Sequence, residues 1–220
     1  MRQLLAALCV LLLHSLFPVA GAWARPPCVV LDPGHGGVDP GAVADGGVYE
    51  KTINLALARR IKTFLENDGI TVILTRTGDD SYRTLTARAA LANARRAHLF
   101  ISLHANSDHP SCHGIELYHY PGSLRGEAAA RLLKEAIEAY GGLAPCRIKA
   151  ARYLVLEKTA MPALLVEAGY LSNPYERRRL LDVSYRQELA RAVAAGVTRY
   201  LECYHLPCRS PVYRVPRDEY

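Results

Sequence analysis

The 220-residue sequence lacks several signatures that would commit it to a function class. Neither a G-x-x-x-x-G-K-[ST] run nor a G-x-G-x-x-G fingerprint occurs, so its glycines form no standard cradle for nucleotide phosphates. No second cysteine pair has zinc-ribbon spacing. No nucleic-acid motif accompanies the net charge of +6, and the basic residues are spread along helices. Nucleic acid is therefore not the expected partner. Anionic envelope polymers or membrane surfaces suit that charge better. There is no internal repeat and no second domain, and the sequence names no protein partner. The leading apolar run, Leu4 to Leu13, is about ten residues, short of the ~20 that a membrane span needs.

That run does fit a secretory leader over residues 1–24. Met1-Arg2-Gln3 supplies a short positive start, and Ala20-Gly21-Ala22 or Ala22-Trp23-Ala24 supplies small residues for cleavage. The expected location is the periplasm, the cell envelope or the extracellular space. Cleavage would remove only Arg2 from the charge of +6, leaving +5. It would also remove Cys9 and leave Cys28, Cys112, Cys146, Cys203 and Cys208, an odd set in which one thiol must stay free or pair between chains. Cys203 and Cys208 could bridge across Pro207 in an oxidising compartment, or all could be scattered thiols. Residues 205–220 read as a Pro-rich, charged tail.

Between leader and tail, apolar runs alternate with amphipathic ones. Val29-Val30-Leu31 is a strand of the kind buried on both faces, and it stops in the turn Asp32-Pro33-Gly34-His35-Gly36-Gly37. A helix is expected over Lys51 to Asn67, with Ile53, Leu57, Ile61 and Phe64 or Leu65 on one face and Gly69 at its C-terminal cap. Ile70 to Thr75 reads as a strand, Thr84 to Arg96 as a helix, and Leu99 to Leu103 as a strand running into His104. Gly114 to Tyr120 reads as a more exposed strand, Leu124 to Tyr140 as a helix, and Arg152 to Leu156 as a short strand. Ala163 to Val166 is a buried strand running into Glu167. Asn173-Pro174-Tyr175-Glu176 has the signals of a helix start, Arg177 to Arg179 read as a solvated helix face, and Ser184 to Tyr204 is a long helix. The pattern predicts one three-layer α/β/α domain over residues 25–204 with a mostly parallel, twisted sheet.

Ligand sites in such sheets lie at the strand ends. His35 and His104, with Glu50 at the start of the first long helix, could form a two-histidine, one-carboxylate metal site with an open position for water. Glu167 emerges from a buried wall, where an unpaired ionised carboxylate costs several kcal/mol or takes up a proton. It needs a cation, a partner arginine or a working role, and a general base beside a metal is such a role. Asn106 sits at the rim, placed to hydrogen-bond a substrate. Asp32 and Asp39 flank the His35 loop as supporting or turn residues. His109, Cys112 and His113 lack regular ligand spacing and read as loop residues.

Several ordered segments together resemble the type 3, zinc-dependent N-acetylmuramoyl-L-alanine amidases. They are Leu31-Asp32-Pro33-Gly34-His35-Gly36-Gly37 with Asp39 and Gly41, Glu50-Lys51, Leu85 with Arg88, Phe100 to Asn106, and Val166 to Asn173. The resemblance implies zinc held by His35, Glu50 and His104, with Glu167 as the catalytic glutamate. It also implies cleavage of the amide between N-acetylmuramic acid and the L-alanine of peptidoglycan stem peptides. Only sixty-two residues separate His104 from Glu167, leaving little room for the inhibitory helix some members insert there, so an accessible site is expected. With no wall-binding repeat, targeting would rest on charge, the tail or partners. A silent wall-binding protein on this scaffold would be expected to lack one of the four residues, and all four are present. An iron(II) oxygenase could use the same two histidines and carboxylate.

Overall fold

In the computed structural model, which describes residues 26–79 and 83–205, the strand β1 (Cys28–Pro33) is the first element, and Val29, Val30 and Leu31 within it expose no surface. Along the chain follow the two-residue strands β2 (Val43–Ala44) and β3 (Val48–Tyr49), helix α1 (Glu50–Asn67), β4 (Thr71–Leu74) and α2 (Leu85–Ala94). Then come β5 (Leu99–Asn106), β6 (Ile115–His119), α3 (Leu124–Ala139), β7 (Cys146–Ala150) and the single-turn α4 (Leu154–Glu157). The chain continues with β8 (Ala163–Tyr170), α5 (Pro174–Leu181) and α6 (Val183–His205).

Six strands form one sheet in the order β4-β1-β5-β8-β6-β7. The first four are mutually parallel, and β6 runs antiparallel to β8 but parallel to β7. On one face α1, α3 and α6 cover a large apolar cluster that includes Leu31, Leu57, Ile101, Leu133, Val166 and Val197. On the other, α2 and α4 cover a smaller one built on Val30, Phe100 and Leu165. This is the three-layer α/β domain expected from the alternation of patterns. The helix signals act as read: Asn173 Oδ1 accepts from the amides of Tyr175 and Glu176, Thr84 caps α2, and Gly69 ends α1 at a φ of +77°. Among the described residues no helix is long and apolar enough to cross a membrane.

Three expectations need correction. The segment Ile115–His119 is buried rather than exposed, because β7 takes the sheet edge beside it. That edge strand is Cys146–Ala150, whereas the expected strand at Arg152 to Leu156 contains the turn of helix α4. β5 and β8 also continue beyond His104 and Glu167, to Asn106 and Tyr170, so both side chains project from within strands. The expected leader, most of the tail and Cys208 lie outside the described residues.

Candidate metal centre and active site

The turn after β1 is held by two buried arginines. Arg76 donates from Nε to the Pro33 carbonyl and from one terminal nitrogen to that of Gly34, both at 3.0 Å. Arg88 donates to the carbonyls of Pro33 (3.1 Å) and His35 (2.9 Å) and pairs with Asp32 at 3.0 Å. Asp32 also accepts from the hydroxyls of Thr75 and Ser102, so its buried charge is fully engaged. Removing one partner of a buried pair of this kind typically costs about 3–5 kcal/mol. Locked in this way, His35 adopts a φ of +60°, a left-handed conformation uncommon for residues other than glycine.

Two glycines are required by close approach. A Cβ on Gly34 would lie 2.3 Å from the His104 ring. One on Gly41, at a φ of +66°, would lie 2.5 Å from Glu50 Oε2 and 2.6 Å from the His35 ring. Without those side chains the two imidazoles meet edge to face, with centroids 5.0 Å apart.

Glu50, the first residue of α1, lies between them. Its Oε2 is 3.1 Å from His35 Nε2 and accepts from the Ala42 amide at 2.9 Å. Its Oε1 is 2.9 Å from His104 Nδ1 and accepts from the Ala105 amide and the Asn54 side chain. His35 turns its other nitrogen, Nδ1, to Asp39 Oδ2 at 2.8 Å, the supporting contact typical of metal-bound histidine. Burial alone would push the Glu50 carboxyl up, but its contacts to His104 and His35 outweigh burial and hold it far below the usual carboxylate range. Burial likewise favours neutral His35, yet Glu50 and Asp39 lift its pKa to about 9.

One ligand atom from each of His35, Glu50 and His104 lies within 4.8 Å of the others. Two atoms each ~2.0–2.1 Å from a tetrahedral zinc ion lie about 3.3 Å apart, and the contacts of Glu50 to His35 and His104, at 3.1 and 2.9 Å, are close to that spacing. His35 and His104 keep 26% and 18% of their side-chain surface exposed, so the cluster opens to solvent.

Glu167 stands in register with His104 on the neighbouring strand and with Glu116 on its other side. Its Oε2 is buried without a hydrogen-bond partner. Burial pushes its pKa up to about 7; the positive potential of His104 opposes this, while Glu50 and Glu116 add to it. An orphaned carboxylate oxygen on a residue paired in register with a donor-set histidine is suited to a metal-assisted general base. Asn106 lies two residues past His104, and its side-chain oxygen accepts from the Ser107 amide at 2.8 Å.

Of the residues singled out from the sequence, His35, Glu50 and His104 come together, Glu167 lies in register with His104, and the Asn106 side chain is engaged with the Ser107 amide. His109 and His113 are exposed in the loop after β5. The triplet Arg177 to Arg179 is not uniformly solvated: Arg178 is exposed, but Arg177 is half-buried against Leu171 and Asp45. Sequence reasoning missed Arg76, Glu116 and Glu176. Glu176, read only as a capping carboxylate, is buried and accepts from the Gly114 and Tyr170 amides, tying β8 to the start of β6. A charged residue between Ile115 and Leu117 was the available signal for Glu116.

Residues 29–199 match the family model Amidase_3, described as N-acetylmuramoyl-L-alanine amidase. Among curated proteins, the chain is 32% identical to N-acetylmuramoyl-L-alanine amidase AmiC of Neisseria meningitidis; the match covers 84% of this chain but only 55% of that relative. Among solved structures, amidase AmiC2 of Nostoc punctiforme superposes with a TM-score of 0.74 at 36% identity, covering 80% of this chain and 97% of that one. The catalytic domain of the amidase CwlV from Paenibacillus polymyxa gives the same TM-score and identity, over 80% of this chain and 98% of that one. By the span of the family match and by these relatives, the chain belongs to the N-acetylmuramoyl-L-alanine amidase family.

Proposed function

We propose that the protein is an exported, zinc-dependent hydrolase that cleaves the amide between N-acetylmuramic acid and the L-alanine of peptidoglycan stem peptides. The observation that carries this reading is the buried, unpartnered Glu167 oxygen beside the His35–Glu50–His104 donor set. Family membership supplies the bond, and the site supports the chemistry. Those three residues would hold the ion, which when bound supplies Lewis acidity toward water and the amide carbonyl.

The chain's own groups account for the proton movements. Glu167, with an elevated proton affinity, accepts the proton of the attacking water at its carboxylate and returns it to the departing alanine nitrogen. Asp39 fixes the His35 ring so that Nε2 is turned to Glu50, where the two residues would hold the ion. Arg76 and Arg88 hold the backbone that presents His35. Envelope polymers would concentrate a basic enzyme near its substrate.

Digestion of purified peptidoglycan tests the reading. Wild type should release free L-alanine amino termini and leave the sugars intact. Glu167→Ala should lose at least a hundredfold in rate while still binding zinc. Chelator should abolish activity and zinc should restore it. No new amino termini from wild type, or full activity in Glu167→Ala, would defeat the proposal.

A further inference from the structure

A cleft of about 270 Å³ opens beside the metal centre, between residues 42–45, the loop after β5 and the start of the β8–α5 connection. Ser107, Ser172, Asp45 and Arg177 supply its polar lining. It adjoins the centre through its lining residue Ala42, whose amide donates to Glu50 Oε2, while the Leu171 amide donates to the carbonyl of Asn106 at the end of β5. Arg177 is half-buried there. One terminal nitrogen donates to the Leu171 carbonyl at 3.2 Å, which orients the guanidinium. The other pairs with Asp45 at 3.1 Å, whose side chain is 91% exposed.

So exposed a counterion holds the arginine weakly. A carboxylate entering the cleft could take its place and be gripped by two parallel N–H donors. Of the two arms of the proposed substrate, only the stem peptide carries carboxylates; the N-acetylated sugars are neutral and the lactyl acid is consumed in the scissile amide. Resting on the function proposed above, we infer that this cleft binds the stem peptide and that Arg177 is a specificity-determining anchor for one of its carboxylates. Asp45 serves as the placeholder that the substrate displaces.

Steady-state kinetics on two soluble muramyl peptides, one with free carboxylates and one with them amidated, tests this. Wild type should favour the free acid about tenfold in kcat/KM. Arg177→Gln should raise KM for the acid about tenfold, shift kcat less than twofold, and erase the preference. Arg177→Lys should retain part of it, and Asp45→Asn should lower KM for the acid alone. Because Arg177 also ties down Leu171, the wild-type preference and Asp45→Asn stand as tests even where Arg177→Gln folds poorly. Equal treatment of both substrates by wild type, or an equal loss on both in a folded Arg177→Gln, overturns the subsite. No hydrolysis of either substrate by wild type would instead sink the proposed activity.

Discussion

Glu116 shows how one residue can be structural on one side and electrostatic on the other. Its carboxylate is buried, accepts from the Tyr118 hydroxyl at 2.6 Å and from Lys149 at 2.7 Å, and stands opposite Glu167 in the sheet. Burial alone would raise its pKa, but Lys149, Tyr118 and Tyr170 outweigh burial and lower it from 4.5. A depressed folded-state pKa gives stability that is present above the unfolded value and is lost as pH falls through the folded one. Glu116→Gln should therefore lower the urea midpoint at neutral pH, and its gap from wild type should narrow below 4.5. A gap that stays constant with pH would show that the ion pair contributes nothing. His35, His104 and Glu167 were legible in the sequence because each interrupts or ends an apolar run. Glu116 was not, because an alternating Ile-Glu-Leu-Tyr reads as a half-exposed strand until a neighbour covers its second face.

Elements were legible where burial imposes a single period. α1 declared itself through Ile53, Leu57 and Ile61, all buried, and β1 through its continuous apolar run. β7 did not, since edge strands carry charges such as Arg147 and Lys149 that discourage pairing with other chains. Helix–helix spacing was also invisible. Gly196 in α6 sits where an added Cβ would lie 2.7 Å from the Leu133 Cα of α3. Alanine normally stabilises a helix by roughly 0.5–1 kcal/mol relative to glycine. Here a backbone atom stands in the way, so Gly196→Ala should reverse that sign and lower the melting temperature. An increase would mean that α3 and α6 separate without cost.

For the whole molecule, a metal ion held at the proposed site would couple that site to global stability. The donors come from the turn after β1, the start of α1 and the interior of β5, and unfolding scatters them. A ligand held only by the native state at a hundred times its Kd adds about 2.7 kcal/mol. In a domain of this size that corresponds to about 5–10 °C, so chelation should lower the melting temperature by that much and zinc should recover it. An unchanged melting temperature would argue against tight binding at these residues. The buried polar lattice of Asp32, Arg88 and Ser102 joins residues as far as 70 apart, and Arg177 reaches Asp45 across 132 positions. By itself the sequence determined which segments become strands and helices, because period and capping are local properties of neighbouring residues. It also singled out the polar side chains that follow apolar runs. Only the tertiary structure decided that β5 and β8 run on past His104 and Glu167, which strands are neighbours, which carboxylates find partners and which is left with a proton affinity near neutrality. Strand order, register and burial are set by contacts between segments far apart in the chain, and no local pattern encodes them.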